Sequence, residues 1–70
     1  MLKSVDDIIE ALGGTSAVAK RAGVSPSAVS NWRALGSIPA EYFLAFEAWA
    51  GERGVRLDPS VFGFKNLEPV

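Results

Sequence analysis

The sequence predicts a small all-α domain of four to five helices, on three observations. Val5, Ile8, Ile9 and Leu12 recur at helical spacing near the start and make one apolar stripe. Gly23, Ser25 and Pro26 crowd a helix stop against a helix start, which forces a sharp bend in the chain. Pro39 then opens a segment, Ala40 to Ala50, that is apolar almost all round. With 70 residues the chain makes one domain, expected over 1–65, with a flexible tail at 66–70.

The first helix is read from Met1 to Leu12, with Ser4 as cap, Asp7 three residues on, and early acids suited to a helix N-terminus. Gly13-Gly14 ends it. That pair is no phosphate loop, since no strand precedes it and no G-K-[ST] follows. Thr15 is expected to cap the second helix, and Gly23 stops it by adopting the left-handed conformation just past its end. Ser25 caps the third helix and Pro26 takes its first position, where a missing N–H costs nothing. Two helices joined so tightly outline a helix-turn-helix. Ala19 falls where they cross. Val24, Val29 and Trp32 point inward, leaving Ser25, Ser27, Ser30 and Asn31 outside, short and polar, as suits a major groove.

Gly36 closes the third helix. In the fourth, Phe43, Leu44, Phe46 and Ala50 are expected to cover the core, which leaves Tyr42, Ala45 and Trp49 on a second face. One helix in so small a domain hardly buries both faces alone, so either the C-terminal segment folds over the second or a second subunit does, and a homodimer through Tyr42, Ala45 and Trp49 is expected. Gly51 and Gly54 end this helix. Val55-Arg56-Leu57 reads as extended and Asp58 to Phe62 as a capped turn of helix, with Phe62 and Phe64 tucked onto the core.

Composition narrows the function. The chain has no cysteine and no histidine, so disulfides, thiolate metal sites and the commonest general base are all missing. Asp6-Asp7 are adjacent on a helix end and point in different directions, a poor carboxylate pair for catalysis. Neither an enzyme, a metal, a cofactor nor a small-molecule ligand is indicated. No run is apolar enough to span a membrane and the start lacks a signal peptide's pattern, so a soluble cytoplasmic protein is expected. The net charge of −1 and pI near 5.2 are unusual for a nucleic-acid binder. Between Gly14 and Ala40, however, Lys20, Arg21 and Arg33 stand with no acid, a local +3 in an acidic whole. That supports phosphate contact of modest affinity per monomer.

Ala19, Gly23, Val29 and Trp32 fall at the positions by which the Cro/CI-type helix-turn-helix is recognised. The longer run from Leu12 to Glu41, with Trp32-Arg33, Gly36, Ile38-Pro39-Ala40-Glu41 and Leu44-Ala45-Phe46-Glu47, resembles the Cro-like branch that includes the YdaS proteins of prophages. Leu57-Asp58-Pro59-Ser60-Val61-Phe62 is also similar to the ending of such sequences. The resemblance covers most of residues 10–63. It implies a lambda-repressor-like domain in which the third helix reads bases through Pro26, Ser27, Ser30 and Asn31. It also implies that the N-terminus of the second helix, at Thr15 and Ser16, meets the DNA backbone. Lys20, Ser25 and Arg33 join those two as backbone contacts, and Arg21 is read as a solvated helix end. Asn31 is the strongest base reader, because its amide can pair bidentately with adenine. Pro26 departs from the pattern, which often has glutamine there, and so shifts weight from base readout to shape and backbone.

Two functions compete. One is a prophage-type repressor binding a near-palindromic operator in double-stranded DNA as a homodimer. The other is an antitoxin-like or regulatory module that docks on a protein through the aromatic helix from Tyr42 to Trp49.

Overall fold

The computed structural model describes residues 1–63 and shows four α-helices with two very short strands. Helices α1 (Val5–Ala11), α2 (Thr15–Ala22) and α3 (Pro26–Leu35) follow one another closely. Strand β1 (Ile38–Pro39) and a 3-10 turn (Ala40–Tyr42) lead into α4 (Phe43–Glu52). A second 3-10 turn (Pro59–Val61) ends in strand β2 (Phe62–Gly63), which runs parallel to β1 with Ile38 opposite Phe62. A parallel pair needs a long crossover, and α4 supplies it. Among the described residues no helix is long and apolar enough to cross a membrane. The expected tail at 66–70 and the core position of Phe64 lie outside the described residues.

Local chemistry fixes the helix ends. Ser4 is extended and its Oγ accepts the Asp7 N–H at 3.1 Å, so α1 starts at Val5 rather than at Met1. The residues before it are extended. Leu2 donates its N–H to the Arg56 carbonyl at 2.8 Å and accepts the Asp58 N–H at 2.9 Å, pairing beside Leu57 as a parallel bridge. The extended reading of Val55 to Leu57 thus has its partner in the chain's start. Gly23 takes φ +74° after α2, and Ser25 Oγ accepts the Ala28 N–H at 3.2 Å at the start of α3. Asp58 caps the second 3-10 turn by accepting the Ser60 N–H at 3.0 Å.

Three expectations are corrected. Thr15 does not cap α2. Gly14, at φ +98°, holds that place without a side chain, and Thr15 is the first helical residue. The fourth helix begins at Phe43, because Ala40–Tyr42 wind as a tighter turn, and it runs through Gly51 to Glu52. Leu44 is not in the core but 76% exposed. Leu44 lies about half a turn of helix from Phe46, so burying Phe46 and Ala50 together turns Leu44 outward.

The core gathers one side of every element. Ile8 and Ile9 of α1, Val18 and Ala19 of α2, Val29 and Trp32 of α3, Ile38, Phe46, Ala50, Leu57, Val61 and Phe62 are all buried. Each large apolar side chain so buried contributes about 1.5–3 kcal/mol. Phe46 is central, with ring centroids 5.0 Å from Trp49, 5.8 Å from Phe62 and 6.1 Å from Trp32. No buried side-chain nitrogen or oxygen among the described residues lacks a partner.

Candidate nucleic-acid interface

Helix α3 has two unlike faces. Val29 and Trp32 sit in the core, while Pro26, Ser27, Ser30, Asn31, Ala34 and Leu35 are exposed. Ser27, Ser30 and Asn31 stand at i, i+3 and i+4, so they share one outward strip of short polar side chains. Pro26 lies at the first turn beside Ser27, and the Ser25 hydroxyl is engaged as the cap. The capped start and the buried Trp32, whose ring centroid lies 4.9 Å from that of Tyr42 at a tilt of 48°, anchor this strip to the rest of the domain.

Helix α2 crosses behind α3 with Ala19, 2% exposed, in the interior. Ser16 and Lys20 are exposed on α2, one near its start and the other in its last turn. The first N–H groups of α2 have no side-chain cap. Such a terminus carries partial positive charge and free donors, which suit an anion.

The two arginines of the unit are not free. Arg33 Nε lies 2.7 Å from Asp6 Oδ1, and its Nη1 donates to Glu10 Oε2 at 3.1 Å and to Thr15 Oγ1 at 2.8 Å. The bond to Asp6, reinforced by Glu10, raises the guanidinium above its already high ordinary pKa. Arg21, expected to be merely solvated, donates to both carboxylate oxygens of Glu52 at 2.7 and 2.8 Å and lies 4.9 Å over the Trp49 ring. Of the three cations from Gly14 to Ala40, Lys20 alone makes no ion pair among the described residues. The +3 read along the sequence is thus largely neutralised in three dimensions by acids from α1 and α4.

The structure brings Thr15 and Arg33 together and places Ser27, Ser30 and Asn31 on one strip. Tyr42, Ala45 and Trp49 do not form an open second face. They are half-buried, with Tyr42 against Trp32 and Trp49 between Phe46 and Arg21. Asp6, Glu10 and Glu52 were not picked out by the sequence as partners of these arginines. Their signal was weak, since Asp6 and Glu10 at i, i+4 on the polar side of α1 look like any solvated pair of acids.

A family model described as bacterial toxin YdaS matches residues 5–55. The chain belongs to the YdaS family. The matched span takes in all four α-helices and stops short of Leu57, so the pairing of Leu2 with Leu57 and of β1 with β2 each involves a partner outside it. No curated protein and no solved structure matches the chain. In this YdaS-family chain the match therefore covers the whole α2–turn–α3 unit together with the acids that pair its arginines.

Proposed function

We propose that this YdaS-family chain is a DNA-binding transcription regulator of Cro/CI helix-turn-helix type, acting as a repressor rather than as a catalyst. The observation that carries this reading is the outward strip of α3, where Ser27, Ser30 and Asn31 are exposed, uncharged and backed by a packed inner face. Asn31 pairs with adenine, the serines bond several base edges, and Pro26 contributes apolar contact. Ser16, Lys20, Ser25 and the first N–H groups of α2 at Thr15 meet phosphates. A homodimer binds a near-palindromic operator with half-sites about 34 Å apart. With Arg21 and Arg33 each already paired to acids, few ions per subunit are released on binding and the salt dependence is shallow.

The test is titration of the full chain against its own upstream DNA at several salt concentrations. Sequence-preferring binding that weakens gently with salt is expected. Its absence at protein concentrations that form dimers contradicts the proposal. A second reading, docking on another protein as the family's toxin description invites, is favoured by Leu44, 76% exposed on α4, and by the neutralised arginines. Under that reading the chain binds no duplex selectively, and Leu44→Glu abolishes partner capture.

A further inference from the structure

Arg33 sits at an unusual junction. Its guanidinium reaches from the last turn of α3 to the first residue of α2, where its Nη1 lies 2.8 Å from Thr15 Oγ1. That is the point at which the proposed interface meets the DNA backbone. Yet two carboxylates of α1 hold it there, Asp6 at 2.7 Å and Glu10 at 3.1 Å. The arginine side chain is 28% exposed and the two acids 66% and 65%. A charge placed where a phosphate belongs is therefore matched by acids that stand open to solvent.

Resting on the DNA-binding function proposed above, we propose that Asp6 and Glu10 form an autoinhibitory clamp that occupies Arg33 in place of a DNA phosphate. Ion pairs this exposed are weak and exchange readily. Duplex DNA presents a dense line of negative charge that competes for the same donors. A planar guanidinium binds carboxylate and phosphate by the same forked geometry, so one side chain serves both partners. The clamp also leaves two acids beside the α2 terminus, where they repel an approaching phosphate. Binding thus requires Arg33 to change partners, and the acids of α1 set the affinity without touching a base.

The experiment measures binding to labelled duplexes enriched from a random pool by the wild-type chain and by D6N/E10Q, over a range of salt. D6N/E10Q is expected to bind about tenfold more tightly at low salt, with log K falling more steeply with salt, because no freed carboxylate takes up cations as Arg33 moves to the phosphate. Adding R33Q to that variant is expected to remove the gain. D7N/E47Q takes the same charge from carboxylates that do not touch Arg33 and is expected to give less than a third of the gain. A gain that survives R33Q, or that D7N/E47Q reproduces, overturns the clamp. Circular dichroism reports whether each variant keeps its helices. The Arg33 Nε–H resonance of the labelled wild-type chain supplies an independent reading. It is expected to shift when DNA is added, and DNA binding with that resonance unmoved overturns the clamp alone. If neither the wild-type chain nor D6N/E10Q binds any duplex, the DNA-binding proposal itself fails and the clamp with it.

Discussion

The Arg21 guanidinium lies 4.9 Å over the Trp49 ring and bonds both oxygens of Glu52, tying the end of α2 to the last turns of α4. These side chains are half-exposed, so the ion pair and the cation–π contact together contribute about 1 kcal/mol. Arg21→Ala should lower the stability of the domain by that amount, about 1 kcal/mol, in a urea melt. DNA affinity should change little, since Arg21 is turned to Glu52 and Trp49 of α4 rather than to the residues of the proposed interface.

Trp49 and Leu44 separate folding from association. Trp49 is half-buried against Phe46, so Trp49→Ala should cost about 2 kcal/mol, less than the ~3–5 of a fully buried aromatic. Leu44 contributes little to the fold at 76% exposure. If α4 joins two subunits, Leu44→Glu should leave the thermal midpoint within a few degrees of wild type and shift sedimentation to the monomer. A dimer unaffected by Leu44→Glu places the contact elsewhere than this edge of α4.

Two glycines should respond differently to alanine. Gly23 has φ +74° with nothing within 4 Å of an added Cβ, so Gly23→Ala carries only the conformational cost of about 1 kcal/mol. Gly13 has φ +108° and its Cβ would meet that of Ala17 at 3.1 Å. Gly13→Ala should therefore be the more destabilising of the two, by thermal melts compared at one pH.

Asp58 predicts a limb of acid sensitivity. Accepting the Ser60 backbone N–H, and next the Ser60 side chain, lowers its carboxyl below the ordinary 3.8. A lowered folded value stabilises the fold above the ordinary value, and that stability is lost as pH falls through the folded one. Asp58→Ala should therefore melt below wild type at pH 6, and the gap should close as the pH drops below 3.8. A gap that stays constant to pH 2 would show that the carboxylate charge plays no part.

What the sequence revealed and what it hid differ by the range of the interactions. The caps at Ser4, Ser25 and Asp58 each bond an N–H two or three residues away, so short motifs announce them. The inward faces of α1, α2 and α3 follow from helical spacing in the same way. The contacts that reshape the candidate site reach much further: Asp6 lies 27 residues from Arg33, Glu10 lies 23, and Arg21 and Glu52 are 31 apart. Nothing local chooses between those acids and a solvated or phosphate-bound arginine. The strand pairs were hidden for a similar reason, since two-residue strands and one bridge carry no periodicity. Leu44 was misplaced because a helix apolar on nearly all sides does not announce its inner face, which the packing of Phe46 and Ala50 decides.

The central claim is that the outward strip of α3 contacts DNA, and amide shift mapping tests it most directly. A duplex enriched from a random pool is titrated into the labelled full chain. The largest shifts are expected at Ser27, Ser30 and Asn31 and at the start of α2 around Thr15 and Ser16, with Leu44 and Ala48 unmoved. Shifts centred on Leu44 and Ala48 of α4, with the α3 strip silent, would contradict it.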